Sequence, residues 1–222
     1  LRMGTFGEIS PEQARGTDKV RQQASHLLSL INGILEITKI ESGTVSVEAH
    51  SVDLKSFLAE LKSDYMLPLE NGVALVWAET GELPSMITDQ LKLKQIVTNL
   101  INNAIKFTEE GSVTVSAGIA PDKSRVEIHV SDTGPGMPVE LLPFIFDKFR
   151  QIDSATTRNY SGAGLGLYIV KNFVSILGGT IDVHSKVGEG SVFTISFPVA
   201  LDSREAEKAP ALPNTAELRT LA

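Results

Sequence analysis

The first quarter of the chain carries apolar residues at intervals of three and four positions. No proline lies between Thr17 and Glu41, and the regularly spaced apolar residues there are Val20, Ala24, Leu27, Ile31, Ile34 and Leu35. This spacing predicts an amphipathic helix. Ahead of it, Ser10-Pro11-Glu12 is typical of a helix start, and residues 3–7 are typical of the end of an earlier helix. We therefore expect the second arm of a helical hairpin whose first arm is almost missing.

The periodicity changes beyond Gly43, where we place a domain boundary. Residues 45–47 alternate between apolar and polar, and Asp53 is suited to cap a helix that runs to about Leu69. Residues 73–77 are apolar without a break, which favours a buried strand. A second long helix is predicted from about 89 to 108.

The second half of the chain predicts strands, a loop and one more helix. Residues 113–115 and 126–130 alternate cleanly, which indicates an antiparallel pair of strands with one covered face. Residues 132–166 combine glycines at both ends with Phe144, Phe146 and Phe149, a composition typical of a long hinged loop with short helical pieces. The last predicted elements are a helix over 167–177, a Gly178-Gly179 stop and strands over 180–185 and 191–197.

Composition narrows the function. The 222 residues carry a net charge of −7, so no basic face is available for nucleic acid by default. The chain has no cysteine, which excludes disulfides, thiolate metal sites and a cysteine nucleophile. No apolar run approaches the roughly 18 residues that a membrane span needs. We expect a cytoplasmic fragment without direct membrane contact, whose parent protein can be anchored upstream of Leu1.

One predicted helix carries candidate ligands for a metal and a phosphate. Asn99 and Asn103 lie four residues apart, and hence on one helix face, with Lys106 about one turn further. Amide oxygens suit a magnesium ion that already carries phosphates and waters, and lysine can meet a phosphate oxygen. The alternative is an ordinary polar helix face.

Two glycine motifs add candidate nucleotide contacts. Asp132-Thr-Gly134-Pro-Gly136 follows a buried strand, so its carboxylate could accept a hydrogen bond from an exocyclic amine such as that of adenine. A common turn is the alternative. Residues 162–167, Gly-Ala-Gly-Leu-Gly-Leu, open a helix whose free amides face an anion, although they do not follow a strand as a dinucleotide-binding fingerprint would.

The order of these motifs is more specific than any one of them. The Asn helix, Asp-x-Gly-x-Gly, the Phe-rich segment, Gly-x-Gly-x-Gly and Gly188-x-Gly190-Ser-Val-Phe193 follow one another in the chain. This series resembles the N, G1, F, G2 and G3 boxes of the catalytic domain of sensor histidine kinases, within the gyrase and mismatch-repair ATPase superfamily. Residues 26–43 resemble the second helix of the dimerisation and phosphotransfer hairpin, which favours the kinase branch. The resemblance covers about residues 20–198.

The resemblance implies an α/β sandwich (α+β) of the Bergerat type. Its mixed five-stranded sheet would be covered by three helices on one face and preceded by a partial helical hairpin. The domains would be residues 1–43 for the hairpin, 44–200 for the ATP-binding domain and 201–222 for a linker or tail.

The resemblance also implies roles for single residues. Asn103 would ligate Mg²⁺, with Asn99 and Lys106 near the phosphates of ATP and Arg158 reaching the γ-phosphate. Asp132 would accept a hydrogen bond from the adenine amine. The other implied nucleotide contacts are Phe107, Gly134, Gly136, Met137, Ile145, Gly162, Ala163, Gly164, Leu165, Gly166, Leu167 and Thr194. Ala163 stands where the family usually has threonine, which removes a hydroxyl but keeps the backbone donors.

The family's phosphoacceptor box, His-Glu-x-x-x-Pro-Leu, is absent from this chain. We expect the acceptor upstream of Leu1, so that the fragment alone does not autophosphorylate. His26 is the alternative acceptor, whereas His50, His129 and His184 fall in or beside predicted strands and are typical of surface residues. The phenylalanines of the Phe-rich segment have a plain alternative as a small satellite core.

These observations predict an ATP-dependent protein-histidine kinase of a two-component system that uses ATP and Mg²⁺. Its expected partners are ATP or ADP, a second copy joined through the hairpin, and a response-regulator receiver domain. The alternatives are a nucleotide-binding pseudokinase or scaffold, and an ATPase or serine kinase of the same superfamily. Asn99 argues against the ATPase branch, which typically has a glutamate base there, because an amide cannot activate water.

Overall fold

The computed structural model describes residues 10–65, 72–78, 81–120, 124–150 and 164–198. Its first element is one long helix, α1, over Pro11–Glu41. The Ser10 hydroxyl accepts from the Gln13 amide at 3.2 Å, and the Gln13 side chain accepts from the Ser10 amide at 2.8 Å. This reciprocal cap confirms the helix start that Ser10-Pro11-Glu12 predicts.

Two sheets follow α1. The strands of the chain are β1 (His50–Asp53), β2 (Ala74–Trp77), β3 (Ser85–Thr88), β4 (Ser112–Ile119), β5 (Arg125–Asp132), β6 (Thr180–Lys186) and β7 (Gly190–Pro198). Five of them form a sheet in the order β2-β4-β5-β7-β6, with β2 and β4 parallel and the other pairs antiparallel. The predicted mixed five-stranded sheet is therefore confirmed.

Helices provide the apolar layer against this sheet. They are α2 (Leu54–Asp64), α3 (Gln90–Phe107) and α4 (Gly166–Ile176). Their buried residues share one core with the covered face of the sheet, where Val126, Ile128 and Val130 alternate with polar neighbours. Asp53 and Asp89 accept backbone hydrogen bonds at the starts of α2 and α3, as the sequence predicts.

Two predictions about the smaller elements are wrong, and one pair of strands was not predicted. The alternating residues 45–47 form no strand, and β1 begins at His50 and pairs with β3 in a second, two-stranded sheet. Helix α2 ends at Asp64, not near Leu69. The strand β2 is not fully buried, since Val76 is 43% exposed, because β2 lies at the edge of the sheet.

Helix α1 packs on the domain that follows it. Ile37 and Ile40 are buried, the Gln95 amide donates to the Glu36 carboxylate at 2.5 Å, and Lys148 pairs with Glu41. A second face of the helix is open, and its exposed apolar residues are Val20, Leu27, Leu28, Ile31, Ile34 and Leu35. Among the described residues, no helix has the length and apolar character needed to cross a membrane. The predicted tail, 201–222, lies outside the described residues.

Candidate functional site

A cleft of about 1000 Å³ lies between α1, α3, the segment after β5 and the start of α4. The predicted site residues that line it are Asn99, Asn103, Lys106, Phe107, Asp132, Gly136, Met137, Ile145, Gly164, Leu165, Gly166 and Leu167. Residues that are far apart in the sequence thus meet around one space. Cavities of this size and mixed lining are typical of small-molecule sites.

The amide wall of the cleft comes from α3. Asn99 and Asn103 are half-buried on the side of the helix that faces the start of α4. A Cβ built on Gly166 would lie 3.9 Å from both the Asn99 Oδ1 and the Asn103 Nδ2. The two amides and the glycine-rich start of α4 therefore form opposite sides of one narrow space.

Lys106 supplies a positive charge to the same cleft. Its ammonium lies 4.8 Å from the centroid of the Phe107 ring, and partial burial lowers the pKa of Lys106 below its ordinary value. Burial removes water from the ammonium and so disfavours its charged form. An anion bound beside Lys106 would replace part of that lost solvation. The geometry favours a phosphate here.

Asp132 ends β5 and is only 8% exposed. Its Oδ1 accepts from the Gly134 amide at 2.9 Å and from the Ser191 amide at 3.3 Å, so Oδ2 can accept from a ligand. Burial raises the pKa of Asp132, while the hydrogen bonds from Gly134 and Ser191 oppose that rise. A buried carboxylate with one directed acceptor suits an amine donor.

The glycines after Asp132 are required by close packing. A Cβ on Gly134 would lie 2.9 Å from the Phe107 carbonyl oxygen, and one on Gly136 would lie 2.0 Å from that of Lys186. Gly136 also has a φ of +63°. The segment is thereby pressed between α3 and the β6–β7 turn, and this fixes Met137 at the wall of the cleft.

The start of α4 offers backbone donors. Among the described residues, no side chain caps the first turn of this helix, whose N-cap is Leu165. Its first amides can therefore bind an anion. Gly164 has a φ of +66°, and its carbonyl accepts from the Phe149 amide at 3.0 Å. Arg158, Gly162 and Ala163 lie outside the described residues.

The Phe-rich segment does not form a satellite core. Phe146 packs against the main core, whereas Phe144 is 48% and Phe149 is 64% exposed. Phe144 ends a 3-10 helix over Val139–Phe144, and Phe146 and Phe149 follow that helix. Ile145, which the sequence analysis placed in the pocket wall, is buried between them and lines the cleft.

Thr194 is not brought to the cleft. Its hydroxyl lies 3.0 Å from the His129 Nδ1 on the face of the sheet away from the helices. Ser191 lies next to Asp132 in the register of β5 and β7 and lines the cleft instead. The sequence analysis missed Ser191, although strand alternation places it on the same face as Phe193 and opposite Thr194.

Helix α1 adds residues to the cleft that local sequence patterns did not indicate. Ser29, Asn32 and Glu36 line it, and Glu36 accepts a hydrogen bond from Gln95 of α3. Gly33, which lies among them in α1, faces Leu165. His26 is part of α1, but its side chain lies outside the described part of the chain. His50, His129 and His184 lie in β1, β5 and β6.

Comparison with known proteins identifies the family. Residues 88–201 match the family described as histidine kinase-, DNA gyrase B-, and HSP90-like ATPase. The chain belongs to this family. Its members named below are sensor histidine kinases, and the resemblance found in the sequence is thus confirmed, together with the catalytic ATP-binding domain.

Two curated relatives and one solved structure are particularly similar. The autoinducer 2 sensor kinase/phosphatase LuxQ of Vibrio parahaemolyticus is 38% identical over 90% of this chain and 24% of its own length. The histidine-protein kinase BarA of Escherichia coli K12 is 34% identical over 88% of this chain and 22% of its own length. The chain therefore spans about a quarter of these relatives.

One similar solved structure is that of full-length ShkA in complex with AMPPNP. It superposes with a TM-score of 0.74 at 32% identity, over 88% of this chain and 40% of that one. The superposition extends beyond the residues matched by the family description, which supports the arrangement of α1 ahead of the ATPase fold.

Proposed function

We propose that this chain is the ATP-binding catalytic part of a two-component sensor kinase, which binds Mg-ATP and transfers the γ-phosphate to a histidine. The observation that carries the proposal is the convergence of a buried carboxylate, Asp132, with Asn103 and Lys106 in one cleft. Asp132 would read the adenine amine at one end. Asn103 and Lys106 would meet the phosphates at the other.

The residues fit a magnesium ion that arrives with its nucleotide. The described part of the chain holds no group of three or more His, Asp or Glu side chains placed for a metal. The amide oxygen of Asn103 is a neutral, hard ligand that leaves the remaining coordination positions to phosphate oxygens and waters, which is the arrangement Mg²⁺ prefers. When bound, the ion would neutralise phosphate charge.

Phosphoryl transfer asks the protein for alignment and charge stabilisation more than for covalent chemistry. Lys106 would hold a phosphate oxygen, and the first amides of α4 would face the anion from the other wall. The predicted contact of Arg158 with the γ-phosphate is part of the proposal. Asn99 has no carboxylate with which to activate water, which favours transfer over hydrolysis.

The proposal places the acceptor histidine upstream of Leu1, on the first helix of the hairpin. The open apolar face of α1 supports pairing with that helix and with a second copy, since an exposed stripe of this length is typical of an interaction surface. A response-regulator receiver domain would then take the phosphoryl group. The domain limits 1–43, 44–200 and 201–222 belong to the same proposal.

Calorimetric titration of Asn103→Ala and Asn103→Asp with ATP, with and without Mg²⁺, tests the nucleotide site. Both variants should lose the metal-dependent part of binding and keep the circular dichroism spectrum of the wild type. Asn102→Ala is the matched control, because Asn102 is exposed on the same helix and accepts from the Tyr65 hydroxyl. Wild-type Mg-ATP binding by the Asn103 variants would refute the assignment.

A further inference from the structure

Three polar residues form one cross-strand row at the adenine end of the cleft. Ser185 of β6 is the register partner of Ser191 of β7, and Ser191 is the partner of Asp132 of β5. Asp132 and Ser191 are buried, and Ser185 is half-buried. The row points to the covered side of the sheet, where every polar group needs a partner.

Hydrogen bonds connect the members of this row. The Met137 amide donates to the Ser185 Oγ at 2.8 Å, and the Oγ atoms of Ser185 and Ser191 lie 3.0 Å apart. The Ser191 amide in turn donates to the Asp132 Oδ1 at 3.3 Å, and the Ser191 side chain helps to lower the pKa of Asp132. The row thus links the backbone at the pocket wall to the carboxylate at the base-binding end.

The number of hydroxyl protons limits which serine donates and which accepts in this row of hydrogen bonds. Each serine hydroxyl has one proton to donate. If Ser191 gives its proton to Asp132, Ser185 must donate to Ser191, and the Met137 amide then donates to Ser185. The competing acceptor for Ser185 is the Gly190 carbonyl at 2.9 Å. An ionised Asp132 favours the first arrangement, because hydrogen bonds to a charged acceptor are stronger.

We propose that Ser185 is a positioning residue for nucleotide binding, which acts through Ser191 to hold the Asp132 carboxylate ready for the adenine amine. Ser185 touches neither the base nor the phosphates in this scheme. It orients the Ser191 hydroxyl and, through its second contact, fixes the Met137 backbone. The inference rests on the proposed role of Asp132 in reading adenine.

Within the part of the chain that the structure describes, no charged side chain shifts the pKa of the Asp132 carboxylate on which the relay acts. Burial raises the pKa of Asp132, and the bonds from Gly134 and Ser191 lower it. The charged side chains on the surrounding elements that share the cleft or flank its turn are Glu36, Lys106, Arg150, Lys186 and Glu189. Loss of the Ser185 hydroxyl should therefore appear as a rise in the Asp132 pKa.

The test is a double-mutant cycle in the nucleotide-free chain. Carboxyl ¹³C NMR titration of Asp132 is compared in wild type, Ser185→Ala, Ser191→Ala and the double variant. We expect both single variants to raise the midpoint and the double variant to match Ser191→Ala alone, because Ser185 then has nothing to act through. Additive shifts, or an unchanged midpoint in Ser185→Ala, would overturn the relay.

Binding provides the second measurement. At neutral pH, ADP affinity should fall about three- to tenfold in Ser185→Ala, the effect of losing one hydrogen bond between neutral groups. The fall in ADP affinity at acid pH should begin at a higher pH in Ser185→Ala than in the wild type. Ser185→Thr should restore both the affinity and its pH dependence, because threonine keeps the hydroxyl. Ser131→Ala is the matched control, since Ser131 adjoins Asp132 on the opposite face of β5. Unchanged ADP binding in Ser185→Ala would also overturn the inference.

The two measurements separate this inference from the proposed function. If the wild type binds no ADP but the midpoints of Asp132 shift as described, the nucleotide assignment fails, and with it the positioning role of Ser185, while the hydrogen-bond relay to Asp132 stands. If ADP binds and Asp132→Asn abolishes its selectivity while Ser185→Ala leaves the titration unchanged, the assignment stands and the relay fails.

Discussion

Gly33 of α1 lies against Leu165, the residue before α4, so closely that a Cβ at position 33 would come within 3.3 Å of the Leu165 Cδ1. Leu165 itself is 4% exposed and lines the nucleotide cleft. The helix that carries the open apolar face is therefore in direct contact with the segment that would bind phosphate. We therefore expect a change in one of them to disturb the other.

Enlarging Gly33 should separate α1 from the catalytic domain. Gly33→Leu adds a side chain where even one methyl group is tight, and overpacking of this kind typically costs about 1–3 kcal/mol. Hydrogen exchange should accelerate at residues 37–41. Gly16→Leu is the matched control, because nothing lies within 4 Å of a Cβ there, and removing an exposed helix glycine should stabilise α1. Equal effects of the two variants would contradict direct packing of Gly33.

Asp132→Asn should weaken adenine nucleotides by about 1–3 kcal/mol, because the charge-assisted hydrogen bond is lost. Calorimetry with ADP and GDP measures this, and an equal loss for both would contradict a role in reading the base. The variant should nevertheless be at least as stable as the wild type at neutral pH.

The sign of that stability effect follows from the pKa. Folding raises the pKa of Asp132 above the ordinary value of 3.8, so its contribution is favourable below that value and is lost as pH rises through the folded pKa. The stability advantage of Asp132→Asn should therefore shrink in acid. Melting temperatures measured from pH 3 to 7 check this, and an advantage that grows in acid would contradict the burial of the charge.

Lys106 should make ATP binding unusually sensitive to alkaline pH. Partial burial lowers its pKa, so the ammonium loses its proton earlier than an ordinary lysine as pH rises. Lys106→Arg keeps its charge and should flatten this decline. Adenosine, which has no phosphates, should show no difference between the two proteins. If ATP binding by Lys106→Arg declines at the same pH as in the wild type, a group other than Lys106 causes the decline.

Gly164→Ala should reduce phosphoryl transfer more than ADP affinity. Its Cβ would lie 2.7 Å from the Arg150 carbonyl oxygen, which would break the pairing of 149 with 164. Transfer is measured in trans to a matched hairpin that carries a His-Glu box. Gly43→Ala is the control, because Gly43 has a φ of +65° but open space around it. Equal losses in the two variants would attribute the effect to φ alone.

The acceptor prediction is tested in the same assay. The chain alone should form no acid-labile phosphohistidine with labelled ATP, and adding the matched hairpin should restore transfer, since docking raises the effective concentration of the acceptor. Label that appears on the unmodified chain and disappears in His26→Gln would move the acceptor to α1.

Local signals in the sequence were sufficient for much of the fold. Asp53 and Asp89 lie at helix starts that the sequence predicts, because a helix cap depends on contacts between residues no more than three positions apart. The pair β1 and β3 was missed because its strands have four residues each and are stabilised by pairing between distant segments. Likewise, Thr194 and Ser191 were exchanged because the motif gives the box but not the register of β7 against β5.

The docking of α1 was also invisible to periodicity. A helix pattern identifies apolar faces but not which partner covers each one. Gly33, Ile37 and Ile40 meet the catalytic domain, whereas Ile31 and Ile34 do not, and nothing local distinguishes the two sets.

The position of β2 at the sheet edge has a consequence for the order of assembly. Among the described strands, only β2 and β4 pair in parallel, and β3 and α3 lie between them in the chain. The antiparallel strands β4 and β5 are neighbours in the chain, whereas the pairing of β2 with β4 closes a longer connection, so we expect β2 to join the sheet later. With a single partner and an exposed Val76, β2 should also detach more readily than the inner strands β4, β5 and β7. The domain can therefore lose this edge without opening the row of β5 and β7 that carries Asp132.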